Sequence, residues 1–541
     1  PSRPALTVLS PDPISVSSAL LNGCDDPEIL TSRKPLNCLK SADGGQAREA
    51  QRVRQQGHGR PIISSISSDG KRSVQIGDKL VETESNHFLD FILCYLRDCL
   101  GADWIAAELK RALPERHIVL QWYHHFQQIK SKSKTTANSC LIQNFGVLNA
   151  LAGLGYGFYL LRHNVELQEK LIKRIRDRLQ FQGAYYEVLV ASILIRAGFK
   201  LELEDETDIS QRHCEFSARS QDTGELYSIE CKARSVPGVL HKAALNASKK
   251  HRPTSMIIAH LKDALRQPAI GERIVFIDVN TPAERVQPPS WVAEAENQLA
   301  RYKRDRLEPT RAFVLITNVC FHLHLTEIDV PVSAFMYGFN IPDFAYVGGI
   351  RFSHLWKSKR KYQDIHNIGK FYTEIGAVPS TFDGSLASTT LFGELPPVQI
   401  GERYMFTDSQ NPIGKVSSAV VSESEGVAYV AVSGDNGENV ILSQQLSETQ
   451  LADYREHRET YFGEISRNAN TKDEFELYEW LVKTHMQYTR GHILEQLKDS
   501  SQLDEYKLLD DEGLVLTYCE RLIAFMRQQQ SEAKCSPSSH V

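Results

Sequence analysis

The sequence lacks any Cys-x-x-Cys pair, and its ten cysteines, at 24, 38, 94, 99, 140, 214, 231, 320, 519 and 535, follow no regular spacing. That argues against a disulfide framework and a cysteine-based zinc site. Scattered thiols in a long chain fit a reducing compartment, where Cys packs as a small hydrophobe, so a cytoplasmic protein is expected. No basic segment followed by an apolar one opens the sequence, so no signal peptide is expected. Basic charge is not in excess either: 62 Lys and Arg face 67 Asp and Glu, a net charge of -5. Any polyanion must therefore be held by a local basic patch working against the average. Only Leu141 to Leu161 is apolar over roughly the length of a bilayer span, and it carries Gln143, Asn144, Asn149 and four glycines. A buried helix is expected there, and no membrane partner. Gly153, Gly155 and Gly157 look superficially like a nucleotide loop, but no strand with an acidic partner follows at the required spacing. No solenoid-period repeat is visible.

The 541 residues, 41% hydrophobic and 24% charged, suit an ordinary globular chain of roughly three to four packing units. Residues 1–58, rich in Ser, Pro, Gly, Gln and Arg, have the composition of a mobile tail. A hairpin around Asp69-Gly70 and helices near 86–100, 117–130, 141–162 and 164–180 predict an α-rich unit over 59–165 that runs on into the next. From 166 to 325 helix and strand periods alternate, the mark of an α/β layer architecture. Within it, helices are predicted at 183–197, 253–266 and 290–306. Strands are predicted at 200–204, 213–219, 227–234, 273–280 and 311–319. A loop- and β-rich unit follows over 326–447, and 448–541 reads as helical with a mobile end. The overall class is mixed α+β with a central α/β core.

Side chains alternate across a strand, so Ser228, Glu230 and Lys232 share one face of 227–234, while Ile229, Cys231 and Ala233 take the other. The preceding strand repeats the pattern, with His213, Glu215, Ser217 and Arg219 on one face and Cys214, Phe216 and Ala218 on the other. Two acids and a lysine can then converge. Glu187 interrupts an apolar helix, where a buried carboxylate needs a partner or a metal. Carboxylates that hold Mg²⁺ can neutralise the charge developing on a phosphodiester, and a nearby lysine can orient the attacking water or take its proton.

These residues resemble the PD-(D/E)XK nuclease superfamily, which includes restriction endonucleases and junction resolvases, over about 140 residues. The resemblance implies a restriction-endonuclease-like core in the order helix, three strands, helix, strand. The helical acid would match Glu187, the first strand acid Glu215, and the acid-x-lysine pair Glu230 and Lys232. The superfamily's first strand acid is usually Asp, one methylene shorter than Glu215. The implied activity is a Mg²⁺-dependent nuclease, with Mn²⁺ able to substitute, in which Glu187, Glu215 and Glu230 are metal ligands. Its implied partner is nucleic acid, DNA ahead of RNA, in DNA processing or defence, with room for a homo-oligomer. The alternative is an inactive nuclease-fold protein that binds nucleic acid or acts as a scaffold.

Lys249, Lys250 and Arg252 precede a predicted helix and form a candidate contact to the nucleic-acid backbone. A second basic run, Lys357, Lys359, Arg360 and Lys361 beside Trp356 and Tyr362, is read as hydrated surface ahead of a binding strip. Glu202, Glu204, Asp205, Glu206 and Asp208 read as a solvated edge, and His213 as a solvent-bonded strand end. His322 and His324 are expected to alternate within a strand, with no third metal ligand to join them.

Overall fold

A computed structural model describes residues 6–7, 14–17, 42–68, 70–132, 135–136, 139–142, 145–203, 215–236, 252–286, 288–305, 310–344, 351–405, 413–434, 439–458, 460–463, 474–498, 500 and 502–535. The chain divides into two compact units. The smaller combines 342–366 with 466–541, and the larger spans 4–341 and 367–465.

Three helices of the larger unit lead to the site: α1 (Gly146–Asn164), α2 (Glu169–Arg176) and α3 (Phe181–Arg196). Nearly every residue of α1 is buried, and no helix among the described residues is long and apolar enough to cross a membrane. Its glycines serve close packing. A Cβ on Gly155 would meet Ile92 at 2.8 Å and one on Gly157 would meet Val188 at 2.4 Å, so side chains there would push away the two neighbouring helices.

The strands β1 (Phe199–Leu203), β2 (Phe216–Ser220) and β3 (Leu226–Ala233) form an antiparallel meander. Helix α4 (Ile257–Leu265) leads to β4 (Glu272–Asp278), which lies parallel to β3. Helix α5 (Ser290–Asp305) leads to β5 (Ala312–Asn318), parallel to β4, and β6 (Ser333–Phe339) returns antiparallel. With Leu6–Thr7 at one edge beside β6, the sheet has seven strands, and the described order from α3 to β4 is α-β-β-β-α-β. Helices α4 and α5 pack on one face, burying Val275, Ile277, Val314, Ile316, Trp291 and Leu299 in a single core. By side-chain alternation Thr317 belongs to the opposite face, where Tyr186 of α3 meets it at 2.6 Å.

Several sequence expectations are corrected. The segment assigned to a tail contains a helix, Ala42–Gln56, with Gln51, Gln55 and Gln56 buried. Glutamine amides suit that position because they satisfy buried backbone groups: Gln51 donates to the Gly384 carbonyl, and Gln56 accepts from the Ile62 N–H. Strand β6 lies beyond the expected boundary at 325 yet completes the central sheet. His322 and His324 lie in a 3-10 turn and its cap, not in a strand. Asp69 of the hairpin turn lies outside the described residues. Downstream, a four-stranded antiparallel sheet covers 403–445, and the smaller unit is helical around Tyr478, Leu481, Leu514 and Ile523.

Candidate active site

Strand β3 holds two of the candidate side chains and is an interior strand of the sheet, buried through most of its length. Glu230 pairs in register with Val275 and Lys232 with Ile277, so both point towards the face that α4 and α5 cover. Ser228 on the same face is engaged in structure, its hydroxyl bonding the Ile270 carbonyl and N–H at 3.0 and 2.8 Å. The neighbouring strand β2 begins at Phe216, which pairs with Ile229, yet the Glu215 N–H also donates to the Ile229 carbonyl, at 3.1 Å. That bond is one residue out of step with the pairing and lies at the strand's end, where alternation through Ser217 keeps Glu215 on the Glu230 face.

The result is a meeting of three charges. Lys232 Nζ lies 2.8 Å from Glu230 Oε2 and 3.7 Å from Glu215 Oε1, so the two acids stand on the lysine's side of the sheet. Glu230 is 3% exposed, and the 2.8 Å contact to Lys232 is a buried, charge-assisted ion pair. Burial, opposed by Lys232, pushes the Glu230 carboxyl above its ordinary range. Glu215 is pushed up to about 7, first by burial and then by the Glu187 carboxylate, against the pull of Lys232. Burial alone would lower the Lys232 ammonium. The Glu230 and Glu215 carboxylates outweigh that effect and raise it, which keeps the lysine charged.

Glu187 has a different partner. It is buried on α3, and Arg174 of α2 holds it in a two-pronged grip, with nitrogens 2.6 Å from Oε2 and 2.5 Å from Oε1. The cation that the sequence demanded near Glu187 is thus an arginine. No sequence motif marked Arg174, although it lies on a basic amphipathic helix immediately before α3.

Among the described residues, no group of three or more His, Cys, Asp or Glu is arranged to hold a metal ion. Glu230 nevertheless has the chemistry of a cation ligand: a buried carboxylate already paired with one cation, Lys232, with a second carboxylate beside it across that lysine. Mg²⁺ commonly takes only one or two protein carboxylates and keeps waters, so Glu215 and Glu230 suffice as donors.

The remaining candidates separate clearly. Arg252 is exposed and lies 3.4 Å from Glu294. Lys249, Lys250, His213, Glu204, Asp205, Glu206 and Asp208 lie outside the described residues, and Glu202 is exposed. In the smaller unit's basic run, Lys359 meets Glu479 at 2.7 Å, Arg360 meets Glu512 at 3.1 Å, and Lys361 pairs with Asp343. Carboxylates thus neutralise much of that run. His322 Nε2 bonds the Asn280 side chain at 2.9 Å, and His324 accepts from the Ala283 N–H at 2.9 Å while its other nitrogen meets Glu327. Both histidines are held by structure. Compared with family models, curated proteins and solved structures, the chain matches none.

Proposed function

We propose that the chain is a divalent-metal-dependent nuclease acting on nucleic acid, DNA ahead of RNA, at the Glu215–Glu230–Lys232 cluster. The observation that carries this reading is the meeting of the buried Glu230 carboxylate, Glu215 and Lys232 on one side of the sheet. The α-β-β-β-α-β order and the positions of the acids agree with the resemblance to PD-(D/E)XK nucleases. In this reading Glu215 and Glu230 hold Mg²⁺, which supplies charge neutralisation and a more acidic water when bound. Lys232, kept as an ammonium by its two carboxylates, faces the phosphodiester and stabilises negative charge developing on its oxygens. Arg174 fixes Glu187, whose negative charge keeps the proton affinity of Glu215 high until a cation arrives.

A second reading, a nuclease-fold module that binds without cutting, draws on the same grip. With both Glu187 oxygens on Arg174, the helical acid is not free to be a ligand. Labelled DNA and RNA, incubated with the full chain and Mg²⁺, Mn²⁺ or chelator, separate the two. Metal-dependent cleavage lost in Lys232→Ala, with binding retained, supports the nuclease. Binding without cleavage in any metal supports the module.

A further inference from the structure

On the far side of the sheet from Glu230, the parallel strands β3, β4 and β5 end together at Ala233, Asp278 and Asn318. A cavity of about 10 Å³ lies at those ends, lined by Gln182, Tyr185, Ala233, Asp278, Val319 and His322, among others. That volume corresponds to room for roughly one water molecule.

The polar atoms around it have fixed roles. Gln182, 6% exposed, donates through Nε2 to the Arg234 carbonyl at 2.6 Å, which leaves Oε1 as a buried acceptor without a partner among the described residues. The Asn280 amide donates to the same carbonyl at 3.2 Å, so its oxygen is what meets His322 Nε2 at 2.9 Å. His322 therefore carries its hydrogen on Nε2 and presents a bare, buried Nδ1 that has no partner among the described residues. Burial holds this imidazole neutral, down to about 3. The buried Tyr185 hydroxyl likewise has no partner among the described residues. Asp278 is already engaged, accepting from the Val319 N–H, the Thr317 hydroxyl and the Asn280 N–H.

Three of the side chains that line this single-molecule cavity thus each carry a buried polar atom without a partner among the described residues. We propose that this cavity binds one ordered water, which donates to Gln182 Oε1 and His322 Nδ1 and accepts from the Tyr185 hydroxyl. Gln182 and Tyr185 both belong to α3, five and two residues before Glu187. The water therefore pins the start of the Glu187 helix to the strand ends and the His322 turn. This inference rests on the fold alone and holds whether or not the chain cleaves nucleic acid.

A crystal structure of the full chain that shows its other buried waters tests the site directly. A solvent peak within hydrogen-bond distance of Gln182 Oε1, His322 Nδ1 and the Tyr185 hydroxyl is expected, without anomalous signal from a metal. An empty cavity or an anomalous peak there overturns the proposal. Urea midpoints of Gln182→Leu, His322→Phe and the double variant give an independent measure. Either single change releases the shared water, so the double variant should fall by clearly less than the sum. Fully additive losses overturn the proposal.

Discussion

Arg174 holds Glu187 through two nitrogens, at 2.6 and 2.5 Å, across the turn between two helices. The Glu187 side chain is largely buried, so removing Arg174 takes away the cation that holds its carboxylate. Arg174→Ala should cost roughly 3 kcal/mol of unfolding free energy, and Arg174→Lys should recover only part of it because an ammonium cannot reproduce the planar fork. Chemical denaturation measures both. An Arg174→Ala loss below about 1 kcal/mol would show the grip to be solvent-screened.

The raised Glu215 carboxyl gives stability a definite pH dependence in metal-free buffer. In the fold it holds its proton up to about 7, whereas its ordinary value is 4.5. The fold therefore binds more protons than the unfolded chain between those values, and stability falls as pH rises through that window. Glu215→Gln should match the native chain near pH 4.5 and exceed it above pH 7, by on the order of 2–3 kcal/mol at most. A stability gap that does not change with pH would contradict the raised carboxyl.

Glu230 should show the same trade between stability and function. Burial pushes its carboxyl above the ordinary range, so Glu230→Gln relieves a desolvation cost while removing the partner of Lys232, and it is expected to melt close to the native temperature without metal. Adding Mg²⁺ or Mn²⁺ should raise the native melting temperature by mass action and leave Glu230→Gln unmoved. Equal metal shifts in both proteins would place the ion elsewhere.

The two basic segments should behave differently towards nucleic acid. Arg252 is exposed and only loosely paired, so Arg252→Ala should leave the urea midpoint unchanged while weakening binding and reducing the salt slope by about one. Lys359, Arg360 and Lys361 each have a carboxylate partner, so alanine at these positions should change the salt slope little. Fluorescence anisotropy across a salt series reads both.

Much of the central architecture was legible because its signals are local. Alternation in 227–234 placed Glu230 and Lys232 on one face, and apolar periods located α3, β3, β4 and β5 to within a few residues. The pairing that sets Glu215 beside Lys232 left no mark in the sequence, because register is decided between strands. Arg174 was missed since an arginine on an amphipathic helix usually faces water, and only the packing of α2 on α3 turns it inward. Composition misjudged 42–56 for a similar reason: a polar helix is buried when its amides find backbone partners that no local pattern announces.

The most direct test is a crystal structure of the full chain soaked in Mn²⁺, read by anomalous scattering. The expected result is an ion bound by the Glu215 and Glu230 carboxylates, with oxygens at about 2.1–2.2 Å and Lys232 displaced from at least one of them. No ion there at saturating Mn²⁺, with Lys232 still 2.8 Å from Glu230, would contradict a metal-dependent nuclease centre at this cluster.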